Sequence, residues 1–242
     1  MAKYVQYTPE VFATQDGGVH VWYFPSSFSQ SQLGDRVIGS NACTLIAVLV
    51  AGRLDEFNIP IWGYYDQPIS RMLVTSIAEA IVEGNEIHES LMLRGELYDM
   101  DLTVPEALNA VRFKYPRLTE WLDKTTLVME PMEESLAENM QRCITEFELT
   151  PPPLKKDNSD LYIILVAGGR SVLFCYQSRT SKVTLVDSHA HVQLDAGIVV
   201  SQSRISELDQ LCQWYTAMCT QCFTNWIGNN SPYELAFLYQ RT

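Results

Sequence analysis

Cys43 and the run Asp187-Ser188-His189 are the residues whose types and placement could do chemistry. A deprotonated thiol is a nucleophile, an imidazole can take and return its proton, and a carboxylate can hold the imidazole in one tautomer. Gly39-Ser40-Asn41-Ala42-Cys43 opens an apolar run from Thr44 to Ala51, which reads as a helix N-terminus capped by Ser40 or Asn41. The Cys43 thiol then sits in the first turn, where unpaired N–H groups and the positive end of the helix dipole favour a thiolate. Asp187 and His189 end a second apolar run, and on an extended strand residues i and i+2 point to the same face. His191 shares that face and is an alternative base, but Asp187 is the immediate same-face neighbour of His189.

Other chemistries fit less well. Cys143 falls on a polar helix and Cys175 inside an apolar strand. Cys212, Cys219 and Cys222 share one helical pattern, so core packing is expected for them. Cys219-x-x-Cys222 has no second pair at zinc spacing. His189-x-His191 also has the form of the metal pair that begins amidohydrolase barrels. Only 51 residues follow His191, too few to complete one. Ser188 lacks a Gly-x-Ser-x-Gly elbow, and Gly168-Gly169 lacks the Lys-Ser/Thr of a phosphate loop. No cofactor and no metal are therefore expected, and His20 and His88 are read as structural or solvent-facing.

These groups must be positioned by a chain of 242 residues, 47% hydrophobic and 11% aromatic, a size and composition that suit a single domain with a substantial core. Seventeen basic against twenty-nine acidic side chains leave a net charge of −12. That balance argues against a nucleic-acid groove and suits a basic partner or a well-solvated surface. No apolar run approaches the roughly 18 residues of a membrane span, and Met1 to Gln6 carry no apolar signal segment. A soluble chain of the cytoplasm or nucleus, with no membrane association, is expected.

Along the chain, residues 18–25 read as a strand leading into a polar loop, 26–36, that carries Gln30, Gln32 and Gly34. The Cys43 helix runs to about Arg53, and Pro60, Trp62-Gly63 and Gln67-Pro68 punctuate the next connection. Helical spacing marks 69–83, Gly84-Asn85 reads as a stop, and a further helix covers 87–93. Thr103, Pro105 and Glu106 are a strong helix start, and 133–146 is another helix. After the proline-rich connector at 149–159 the period changes. Runs at 161–166, 171–176 and 182–186 form an antiparallel meander turning at Gly168-Gly169 and at 178–181. A long helix at 205–223 and a strand at 233–239 close the chain. The expected fold is α+β, one domain over 1–242 with a mainly helical lobe at 1–150 and an antiparallel sheet lobe at 160–242.

A helical half bearing a cysteine at a helix start, followed by a β half bearing a histidine, resembles the two-lobe plan of papain-like cysteine proteases. Within that superfamily the segments are similar to the deubiquitinating proteases of herpesvirus large tegument proteins. Ser29-Gln30-Ser31-Gln32-Leu33-Gly34-Asp35 corresponds to that family's upstream glutamine loop, Gly39–Cys43 to its turn into the cysteine helix, and Val186–His189 to its Asp-x-His strand. An alanine/glycine pair after the histidine has its counterpart in Ala196-Gly197, in reversed order. Ala42 stands where the family has glutamine.

The resemblance implies a papain-like fold with Cys43 as nucleophile, His189 as base and Asp187 as its orienter. It implies cleavage of the C-terminal glycine linkage of ubiquitin or a ubiquitin-like modifier. The oxyanion would rest on the Cys43 N–H and a glutamine amide, Gln30 by spacing or Gln32 by its Gly-Asp context. The rival expectation is a catalytically inactive papain-like fold that binds a protein partner, with Cys43 inert.

Overall fold

A computed structural model of the chain describes residues 9–34, 36, 39–61, 69–97, 99–223 and 232–242. Met1 to Gln6, Asp35, Trp62-Gly63 and Gln67-Pro68 lie outside the described residues. Among the described residues the frame is one antiparallel sheet of nine strands. They are β1 (Phe12–Asp16), β2 (Val19–Pro25), β3 (Leu118–Glu120), β4 (Thr126–Val128), β5 (Leu161–Ala167), β6 (Arg170–Gln177), β7 (Lys182–Asp187), β8 (Ala196–Arg204) and β9 (Tyr233–Gln240). Their order is β1-β2-β8-β7-β6-β5-β9-β3, with β4 also pairing β9. The three strands expected at 161–186 form its middle, and Gly168 and Gly169, at φ 56° and 72°, make the tight β5–β6 turn.

Strands β5 and β6 are buried on both faces because helices cover both. The alternation of side chains sorts the core into two layers. Tyr162, Ile164, Leu173 and Cys175 face α1 (Cys43–Glu56), α2 (Arg71–Leu93) and α3 (Val104–Val111). Leu161, Ile163, Val172 and Phe174 face α4 (Met132–Leu149) and α5 (Leu208–Cys222). Helix α1 is buried without a break from Cys43 to Leu54, which is why its sequence is apolar all round rather than striped. No helix among the described residues is long and apolar enough to cross a membrane.

Several expectations are corrected. The chain changes from helix-rich to strand-rich near residue 150, but that seam divides only the sequence. Strands β1 to β4 precede it and join the same sheet, while α4, also before it, covers the same face as α5. Gly84-Asn85 is not a helix stop, since α2 runs through both residues to Leu93. A Cβ at Gly84 would lie 2.7 Å from Ile46 Cγ1, so the glycine lets α2 approach α1. Thr103 does form a capping box with Glu106. The cap of α1 is Ala42, not Ser40 or Asn41. Ser40 instead accepts the Ala42 N–H at its Oγ, 3.2 Å.

Candidate active site

Helix α1 begins at Cys43, so the thiol stands in the first turn as its sequence context suggests. The helix start lies over the end of the sheet where β6 begins and β7 ends. Thr44 Oγ1 meets Ser171 Oγ at 2.8 Å there, fixing the first turn against β6. Strand β7 ends at Asp187, and the chain bends at once. His189 therefore does not share a strand face with Asp187. The bend folds it back, so that its Nδ1 lies 2.7 Å from Asp187 Oδ1, which also accepts the His189 backbone N–H at 3.0 Å.

The bend also separates the two histidines. His191 lies against the other carboxylate oxygen, Nε2 to Asp187 Oδ2 at 3.2 Å, while its Nδ1 meets Gly197 O at 2.8 Å. Both rings pack on Phe223, with centroids 6.3 and 5.5 Å away, and the Arg170 guanidinium lies 3.7 Å from the Phe223 centroid. It is His189, not His191, whose ring acts on the Cys43 thiol, each shifting the ionisation of the other.

Electrostatics follow from this packing. Burial pushes the Cys43 thiol up, but the hydrogen bond and charge of His189, helped by Ser171, more than offset it and leave its pKa lowered. Burial would lower the pKa of His189, yet Asp187, and then Cys43, raise it to about 9. Burial opposes ionisation of Asp187, and the two imidazoles, His191 first, overcome it and hold the carboxyl far below the usual range. All six cysteines are buried and unpaired, but they divide sharply. Burial raises Cys143, Cys175, Cys212, Cys219 and Cys222, and Cys43 alone is lowered. A lowered thiol beside a raised imidazole is the electrostatic condition for a thiolate–imidazolium pair.

The two glutamines part company. Gln32 is exposed, whereas Gln30 is only 2% exposed and held from four directions. Its N–H donates to Ser188 O at 2.9 Å and its carbonyl accepts from Asn85 Nδ2 at 2.9 Å. Its Nε2 donates to Ser40 O at 3.1 Å, and its Oε1 accepts from Ser188 Oγ at 2.7 Å. Asn85 in turn accepts from Ser40 Oγ at 2.6 Å. The Gln30 loop lies so close across β8 that a Cβ at Gly197 would fall 2.3 Å from Phe28 O and 2.4 Å from Pro25 O. That contact accounts for the glycine of Ala196-Gly197. The partners Ser188, Asn85, Ser40 and Ser171 were not legible in the sequence, save that a Gly-Asn pair inside a helical pattern signals a close approach.

With this geometry in view, the fold is similar to that of the ubiquitin-specific protease encoded by murine cytomegalovirus tegument protein M48, solved in complex with a ubiquitin-based suicide substrate. The match covers 89% of this chain and 85% of that one, at 15% sequence identity and a TM-score of 0.51. The Pseudomonas avirulence protein AvrPphB matches over 82% of this chain and 91% of its own, at 11% identity and a TM-score of 0.47. No protein-family model matches the sequence, and no curated protein sequence matches it. The likeness shows that the chain shares the fold of that viral protease, a mixed arrangement of helices and antiparallel sheet.

Proposed function

We propose that the chain is a thiol protease that cleaves the bond after the C-terminal glycine of ubiquitin or a ubiquitin-like modifier. The observation that carries this reading is the lowered Cys43 thiol beside a His189 ring tied to Asp187 at 2.7 Å. Cys43 attacks the carbonyl carbon of the scissile bond. His189, holding the thiol proton, donates it to the departing amine as the C–N bond breaks and the thioester forms. His189 then takes a proton from water, which attacks the thioester and restores the Cys43 thiolate–imidazolium pair. Asp187 fixes the tautomer and orientation of the ring throughout.

The oxyanion of each tetrahedral step is met by the Cys43 backbone N–H, which by its first-turn position has no intrahelical acceptor, and by the Gln30 amide. The choice of substrate rests on the fold shared with an enzyme captured on a ubiquitin-based suicide substrate. The net charge of −12 suits a basic modifier tail. Hydrolysis of amides at the C-terminal glycine of ubiquitin and of each ubiquitin-like modifier tests the reading. Turnover that disappears in Cys43→Ala supports it, and a folded chain that turns over none of them sinks it.

One observation favours a second reading, a catalytically inactive fold that binds a protein partner. Cys43 is 4% exposed and His189 6%, so a substrate must displace covering groups to reach them. The rate of Cys43 alkylation by iodoacetamide near neutral pH separates the two. A protease nucleophile reacts faster than free cysteine in a His189-dependent way, and an inert thiol does not.

A further inference from the structure

Ser188 lies between the orienting carboxylate and the base, yet the thiol-protease mechanism gives it no task. Its hydroxyl is buried, and it donates to Gln30 Oε1 at 2.7 Å. The direction of that bond is fixed by the other end of the amide. Ser40 O is a main-chain carbonyl and can only accept, so the group 3.1 Å from it must be the Gln30 NH2. The opposite end is then the carbonyl, and Ser188 must give it a proton. Of the two amide hydrogens on Gln30, one is taken by Ser40 O and the other is left for a substrate oxygen.

We propose that Ser188 is the positioning residue of the oxyanion amide, anchoring the carbonyl end of Gln30 while Ser40 O anchors its NH2 end, and tying the oxyanion loop to the segment that carries the base. This rests on the thiol-protease reading. The same residue grips Gln30 twice, since Ser188 O also accepts the Gln30 N–H at 2.9 Å. The main-chain bond survives removal of the hydroxyl, so the side chain can be tested without dismantling the loop. In Ser188→Ala the Gln30 carbonyl loses its donor and the amide is held by Ser40 O alone, so its placement loosens, while Cys43, His189 and Asp187 keep their contacts.

The test is a double-mutant cycle on turnover of a ubiquitin or ubiquitin-like C-terminal amide, read beside the side-chain amide signals of Gln30 by NMR. Removal of an oxyanion donor lowers kcat by about 10²–10³-fold, so Gln30→Ala sets that limit. Ser188→Ala is expected to lower kcat by about 10-fold at unchanged KM, as a partial loss of the same donor. Ser188→Thr is expected to restore kcat because it keeps the hydroxyl. Adding Ser188→Ala to Gln30→Ala is expected to cost nothing further, since the two residues act through one amide.

Additive losses, or a Ser188→Ala variant that slows Cys43 alkylation by iodoacetamide as much as it slows turnover, would overturn the proposal by assigning Ser188 to the base. If the wild-type chain turns over no substrate, the protease reading falls but the NMR arm still decides. Gln30 amide protons that lose exchange protection in Ser188→Ala and keep it in Ser188→Thr support the latch, and signals indifferent to Ser188 overturn it.

Discussion

Asp187 holds His189 through both its ring and its backbone. One carboxylate oxygen, Oδ1, accepts Nδ1 at 2.7 Å and the main-chain N–H at 3.0 Å. The imidazole is thereby tied to the turn that carries it, and its free nitrogen, Nε2, is left for the thiol. In Asp187→Asn the charge that raises His189 disappears, while its burial, which lowers the pKa, remains. Turnover is expected to fall by about 10⁴-fold, from loss of tautomer and charge. The alkaline limb of the kcat/KM profile, near 9 in the wild type, is expected to move to lower pH. A full pH–rate profile of both proteins checks this.

The Cys43 thiolate is expected to persist below the ordinary thiol pKa of about 8.5 because His189 offsets the burial. Removing the ring by His189→Ala leaves burial unopposed except by Ser171, so the pH of half-maximal alkylation rises above that of free cysteine. Iodoacetamide rates from pH 5 to 10, with the modified cysteine identified by mass, give the two curves.

The same ionisations link stability to pH. Asp187 has a depressed pKa in the folded chain, so its contribution is fully present above about 4 and is lost as pH falls below that. His189 has a raised pKa, so its contribution is fully present below about 6.5 and is lost as pH rises through about 9. The stability of the wild type relative to Asp187→Asn is therefore expected to be greatest between about pH 4 and 6.5 and to decline on both sides. Urea midpoints across that range measure it.

Two glycines are set against close neighbours of different stiffness. At Gly84 an added methyl meets Ile46 Cγ1, which a rotamer shift can relieve in part. At Gly197 it meets two main-chain carbonyls that cannot retreat. Gly84→Ala is expected to cost about 1–3 kcal/mol, reduced by the helix propensity of alanine, and Gly197→Ala to cost more. Gly197→Ala is also expected to lower kcat, because the carbonyls it displaces, Pro25 O at the end of β2 and Phe28 O beyond it, lead into and belong to the loop that carries Gln30. Urea unfolding and steady-state turnover of both variants test the ranking.

What the sequence disclosed follows from the range of the forces involved. The middle strands, the Thr103 capping box and the helical position of Cys43 were legible because alternation, capping chemistry and apolar periodicity act over a few residues. The Asp187–His189 pair was legible as a motif, but its geometry was not, since a bend rather than a strand brings the two together. Strands β1, β3 and β4 carry little local signal because they are short, and in β8 the apolar stretch Ile198–Val200 is followed by the polar Ser201-Gln202-Ser203-Arg204, so all four owe their form to sheet partners far along the chain. Asn85 read as a helix stop for the same reason, its neighbours Ser40 and Gln30 being distant in sequence. Spacing already favours Gln30 over Gln32, but the burial that sets the two apart is not legible in the sequence.

The most direct measurement of the central claim is the intact mass of the protein after exposure to ubiquitin and ubiquitin-like probes bearing a C-terminal electrophile. A single adduct on Cys43 is expected with at least one probe, abolished in Cys43→Ala and slowed in His189→Ala. A folded wild-type chain that forms no adduct with any probe, or an adduct that survives Cys43→Ala, would contradict the claim.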